Sequence, residues 1–281
     1  MNRFLSIVKY LVVFIAIQVF VTFAVGFVWQ LVEGNNARTA LQTAVSDEVT
    51  TNGLAILLVS AVSSVLTILL FMFARWSPFS RDYIRTRPWA LLFWIAILAC
   101  GTIIPSQWML ELLGLEAPPE MQQMFEKIMR QPAGYFVIGI LVPIAEEMVF
   151  RGAILRTLLH IFNRRYHWLP IVLSALLFGS VHGNMAQFVH ATLLGLLLGW
   201  LYYRTDSIVP GIVLHWVNNT VAYVLTMLLP QSADSTLVEL FGSQQRVWLA
   251  LACSLCIFLP ALYQVALRMP QTITNLKTIR H

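Results

Sequence analysis

The chain predicts an all-α, polytopic transmembrane helix bundle of about eight spans, on three observations. Of its 281 residues 58% are hydrophobic and only 11% charged, against roughly 25% charged in an ordinary soluble domain. The apolar residues fall in runs long enough to cross about 30 Å of hydrocarbon. Basic and acidic residues alternate between successive connections. One integral membrane domain over residues 1–281 is expected, with little chain left for a soluble one.

The elements follow in order. The apolar run from Tyr10 to Val32 is too long for a signal-peptide core and has no evident small-residue cleavage site, so it reads as a retained first span. Further spans are expected at 53–74, 89–110, 135–159, 169–184, 186–203, 210–230 and 247–267. Arg75, Arg81, Arg85 and Arg87 follow the second span, and Arg164 and Arg165 the fourth. Arg204, the tail residues Arg268, Lys277 and Arg280, and Arg3 and Lys9 at the start fall on the same side. Excess Lys and Arg marks the inner face, so both termini are predicted cytoplasmic. Asp47, Glu48, Glu111, Glu116, Glu120, Glu126, Asp234 and Glu239 fall on the opposite side. The net charge of +5 is thus an orientation signal and calls for no nucleic-acid partner. A multi-pass protein of the cell membrane (inner or plasma), with membrane lipid as its surroundings, is the expectation; the oligomeric state is not legible.

Between the third and fourth spans, Leu112, Leu113, Leu115, Met121, Met124, Phe125, Ile128 and Met129 alternate with Glu and Gln at helical spacing. This reads as an amphipathic helix at the outer interface or, with equal weight, a solvated connecting helix.

The run Val142-Pro143-Ile144-Ala145-Glu146-Glu147-Met148-Val149-Phe150-Arg151 puts two carboxylates and an arginine inside an apolar segment. Ionised groups in hydrocarbon are expensive and functional by default. Glu147 and Arg151, four apart, share a helix face and predict an internal ion pair. Glu146 is turned about 100° away into a separate environment. A carboxylate in a low-dielectric cavity beside a second one has the raised proton affinity that a general base near neutral pH requires. Pro143 removes a backbone hydrogen bond and predicts a kink that opens such a cavity.

Two more polar pairs occupy apolar spans at the same spacing, Phe178 with His182 and His215 with Asn219. A neutral imidazole at His182 is compatible with a water-binding base, a metal ligand or a packing residue. His215 and Asn219 share a face, and both can donate towards an oxyanion. Base, water-holding histidine and donor pair together make a hydrolytic site without a serine or cysteine nucleophile.

Glu146-Glu147-x-x-x-Arg151, Phe178-x-x-x-His182 and His215-x-x-x-Asn219, in that order, resemble the three motifs of the CPBP family of CAAX prenyl proteases and bacteriocin-processing or immunity-type intramembrane proteases. The resemblance covers residues 135–225, the expected catalytic core. It implies glutamate-dependent peptide hydrolysis within a helical membrane fold, acting on a peptide or a lipidated protein. By matching positions, Glu146 would activate water with His182, His215 and Asn219 would hold the oxyanion, and Glu147 and Arg151 would support them. A metal-free site is favoured; the alternative is zinc on Glu146, His182 and His215 with an open water position, although no HExxH helix is present. A different class of reading, a non-catalytic immunity or scaffold protein or a proton-coupled transporter, also accommodates intramembrane Glu and His.

Other features read as structural. Cys253 and Cys256 in the last span, and Cys100, are expected to be inert buried thiols. His190 either lines the cavity or bonds to a neighbouring helix, and His160 and His167 flank a basic loop. Trp29, Trp76, Trp89, Trp108 and Trp168 suit an aromatic belt. Gly195 and Gly199 permit close helix packing. By depth, Glu146 lies about 16 Å along its span and His182 about 20 Å along the returning one, whereas His215 lies only about 8 Å along its own.

Overall fold

The structure, a computed structural model, describes residues 3–78, 80–116, 118–162, 166–229 and 235–269. Helix makes up 83% of it, with no strand among the described residues. Hydrocarbon dictates this, because a helix satisfies its own backbone N–H and C=O groups and an open sheet edge does not. Arg164, Arg165, Asp234, Lys277 and Arg280 lie outside the described residues, as do the side chains of Asp47 and Glu48.

The chain runs through α1 (Arg3–Val32), short α2 (Ala37–Thr43) and α3 (Asp47–Thr50), α4 (Gly53–Phe73), short α5 (Arg81–Arg85), α6 (Trp89–Leu112) and α7 (Pro119–Met129). A continuous helical rod follows: π-helical Tyr135–Leu141, α8 (Val142–Glu147), π-helical Met148–Leu155 and α9 (Arg156–Ile161). Then come α10 (Trp168–Ser180), α11 (Met185–Thr205), α12 (Val209–Leu228), short α13 (Leu237–Phe241) and α14 (Gln244–Arg268).

Among the described residues six helices, α1, α4, α6, α11, α12 and α14, are long and apolar enough to cross a membrane, and they match six of the eight expected spans. The remaining two expectations take a different form. Residues 135–159 are helical throughout, but Pro143 divides them into alternating π and α pieces. Residues 169–184 do not form one continuous helix: α10 stops at Ser180 after 13 residues, about 20 Å against about 30 Å of hydrocarbon. Gly183, at φ 80°, and Asn184, whose side chain caps α11 by accepting from the Gln187 N–H, turn the chain there. His182 therefore sits in a turn, not on a helix.

Glycines bring α10 and α11 together: a Cβ at Gly199 would lie 2.9 Å from Ile171 and one at Gly195 3.0 Å from Ala175, the small-residue packing expected of membrane helices. Along α6 and α14, the Ser254 hydroxyl donates to Gly101 O at 3.0 Å. The largest core cluster gathers Phe150, Phe178, Leu198 and Leu214 around the middle of the rod. The expected amphipathic helix narrows to α7, whose Met124 and Ile128 pack on Leu57 of α4 and Val137 of the rod. Its apolar face is thus covered by protein. Cys100, Cys253 and Cys256 are free and exposed, not buried as expected. Cys253 and Cys256 lie on α14 among exposed residues such as Leu255 and Ile257, a surface that a bilayer covers.

Candidate active site

Pro143 explains the local form of the rod. Within the first π segment the Val142 N–H bonds to Val137 O, five residues back. Ile138 O would look to position 143 in that register, and proline has no N–H to give. Asn219 of α12 supplies the missing donor, Nδ2 to Ile138 O at 3.0 Å. One proline and one asparagine thus lock α12 onto the rod, a turn before the carboxylates. A π-helical turn of this kind is found frequently at functional sites.

The adjacent carboxylates diverge as helical geometry requires. Glu147 is fully buried, and its Oε1 accepts from Arg151 Nη1 at 2.8 Å, with Arg151 1% exposed. Oε1 is also 3.4 Å from His215 Nδ1. Oε2 is buried without a hydrogen-bond partner among the described residues. It lies against Gly211, where a Cβ would come within 2.5 Å. Gly211 is in the first turn of α12, whose positive end favours an anion. Glu146, its side chain 15% exposed, points elsewhere; its Oε2 is 3.6 Å from His215 Nε2. His215 therefore stands between the two carboxylates, one ring nitrogen towards each.

Phe178 organises the other side. The Arg151 guanidinium lies 4.3 Å from the Phe178 ring centroid, a cation–π contact worth about 2 kcal/mol when desolvated. The rings of His182 and His215 meet Phe178 edge-on at 4.9 and 5.7 Å. His182 Nδ1 is 2.8 Å from Phe178 O. A carbonyl can only accept, so Nδ1 carries the proton and Nε2 presents a lone pair. Phe178 O belongs to the last turn of α10, whose carbonyls lack helical partners. The four-residue spacing of Phe178 and His182 is thus a C-terminal cap as well as a way to fix a tautomer.

Glu146, Glu147, Arg151 and His215 are brought into one cluster, with His182 joined to it across the Phe178 ring. Asn219, expected beside His215 as a second oxyanion donor, instead spends one N–H on Ile138 O, and a second remains on the same Nδ2. His190 lines a cavity of about 450 Å³ together with Glu111, Met121, Gln187 and Thr226. That cavity is distinct from the one beside Glu146, of about 210 Å³, lined by Gln18, Ser60, Ser63 and Ser64. His160 Nδ1 bonds to Arg156 O at 2.6 Å, and His167 stacks on Tyr203 at 4.2 Å.

The fit of a zinc ion is incomplete. Glu146 and His215 approach one another, but no group of three His, Cys, Asp or Glu side chains able to hold a metal converges among the described residues. Sequence reasoning did not single out Gly211, Gln18 or the α4 serines. The signal for the serines was present: every hydroxyl of α4 falls at positions 60, 63, 64 and 67, one helix face.

Comparison with known proteins adds independent evidence. Residues 129–221 match the Rce1-like family, described as type II CAAX prenyl endopeptidase Rce1-like. A curated relative from Bacillus subtilis (strain 168), named "Putative membrane peptidase YdiL", is 26% identical over 140 residues, covering 50% of this chain. The match spans 56% of that relative's length. No solved structure matches the chain. The multi-pass helical architecture and these two matches are consistent with a CPBP-family protease, whose three motifs all fall within residues 129–221.

Proposed function

We propose that the protein is an intramembrane endopeptidase of the CAAX-protease type, hydrolysing a peptide bond with water activated by Glu146. The observation that carries this reading is the placement of His215 between a partly open carboxylate, Glu146, and a buried, charge-paired one, Glu147.

Charge accounting assigns the roles. Glu147 and Arg151 neutralise one another, and both are desolvated, a costly arrangement retained because it holds something else in place. What it holds is His215, through Nδ1. Glu146 Oε2 and His215 Nε2 then face one another at 3.6 Å. Glu146 takes a proton from water as the oxygen attacks the scissile carbonyl, with the His182 Nε2 lone pair accepting the second hydrogen of the same water. Negative charge develops on the carbonyl oxygen, and protonated His215 Nε2 and the second Asn219 N–H donate to it. Glu146 passes its proton to the departing amine as the C–N bond breaks. The substrate is a peptide or a lipidated protein segment reaching the site from the membrane.

Purified protein in detergent is assayed against farnesylated CAAX peptides and a membrane-peptide library, with and without chelator. Loss of cleavage in Glu146→Gln, His182→Ala and His215→Ala, with normal insertion, is the expected result. Full activity in all three sinks the reading. Chelator sensitivity reversed by zinc moves it to a metalloprotease.

A further inference from the structure

The pocket on the α1 and α4 side of Glu146 is polar where the surrounding helices are apolar. It holds about 210 Å³, and its polar lining is Gln18 of α1, Ser60, Ser63 and Ser64 of α4, and Glu146, beside apolar Phe14, Ile138, Val142 and Ala145. Ser63 and Ser64 are 0% and 3% exposed. Ser63 spends its hydroxyl on Val59 O at 2.6 Å. The side chains of Gln18, Ser60 and Ser64 make no hydrogen bond among the described residues. Ser64 is buried and Gln18 and Ser60 are half-buried, and polar side chains that meet a cavity of this size without a protein partner are satisfied by water.

We propose that this pocket is a hydration site which supplies and positions the water that Glu146 activates, with Gln18, Ser60 and Ser64 as positioning residues. Water thereby reaches Glu146 from the α1 and α4 side, and the peptide carbonyl is met from the side of His215. Glu146 stands between them, in contact with the pocket and 3.6 Å from His215 Nε2. This inference rests on the role proposed for Glu146.

Two experiments test it. In a background with Cys100, Cys253 and Cys256 replaced by alanine, Ser64→Cys and Ser60→Cys are labelled in proteoliposomes with a water-soluble methanethiosulfonate reagent. Lipid-facing Leu66→Cys, 40% exposed in the wild-type side chain, is the control. Labelling of Ser64→Cys at least about tenfold faster than of Leu66→Cys is expected, because thiolate forms in water and not in hydrocarbon; equal rates overturn the proposal. In the peptidase assay, Gln18→Met with Ser64→Ala lowers kcat about tenfold and leaves KM within about twofold, the signature of a group acting in the transition state. Ser64→Thr, which keeps the hydroxyl, retains activity. Unchanged kcat with a reactive Ser64→Cys means a wet pocket that does not feed the base, and overturns the assignment. Full activity of Glu146→Gln defeats the role proposed for Glu146, while the labelling result decides separately whether the pocket is hydrated.

Discussion

Glu147 Oε1 lies 2.8 Å from Arg151 Nη1 and 3.4 Å from His215 Nδ1, so one buried oxygen joins an arginine to a histidine across two helices. Removing either partner of a buried ion pair leaves an uncompensated charge and costs about 3–5 kcal/mol. Arg151→Met is therefore expected to lower thermal stability in detergent by about that amount. Glu147→Gln together with Arg151→Met should recover most of the loss, since no lone charge remains. Additive losses in this double-mutant cycle would show that the pair does not couple.

Glu146 and Glu147 are neighbours in sequence with different surroundings, 15% against 0% side-chain exposure. Glu146→Gln should abolish cleavage while leaving the unfolding temperature near wild type. Glu147→Gln should lower both, because it strands Arg151. Equal stability effects of the two substitutions would contradict the division of labour between base and support.

Gly211 gives Glu147 its room, since an added Cβ would meet Oε2 at 2.5 Å. Gly211→Ala is expected to destabilise by about 1–3 kcal/mol through overpacking and to reduce activity by displacing His215. Unchanged stability in thermal denaturation would show that α12 yields at this point.

Asn219 and Pro143 form a compensating pair through Ile138 O. Asn219→Ala should cost about 1–3 kcal/mol by orphaning that carbonyl. Pro143→Ala, which restores an N–H at the position facing it, should return part of the loss in the Asn219→Ala background. Calorimetry of the four proteins measures the coupling, and a coupling of zero would refute the link.

At the N-terminus of α13, outside the spans, Thr236 and Glu239 form a reciprocal cap. Hydrogen bonds from the Thr236 backbone and hydroxyl hold the Glu239 carboxyl below its ordinary value. A depressed folded-state value means that the contribution is present above the unfolded value and lost as pH falls through the folded one. Amide-exchange protection in residues 237–241, taken relative to the intrinsic exchange rate at each pH, should fall on acidification in the wild type and stay flat in Glu239→Gln.

The sequence by itself determined the solvent, the helical class and six long spans, because hydrocarbon admits few other arrangements of apolar residues. It also determined the Glu147–Arg151 pair and the divergence of Glu146, since both depend only on spacing along one helix. The early stop of α10 was written in Gly183 and Asn184 but masked by apolar residues on either side.

Tertiary structure alone decided which helix each face meets. The position of His215 between two carboxylates, the donation of Asn219 to a carbonyl stranded by Pro143, the Phe178 ring among Arg151, His182 and His215, and the Gln18 and serine lining of the Glu146 pocket all join residues far apart in the chain. Periodicity reports the direction of a side chain relative to its own helix axis. It carries no information on what stands opposite, which is settled by the packing of all the helices together.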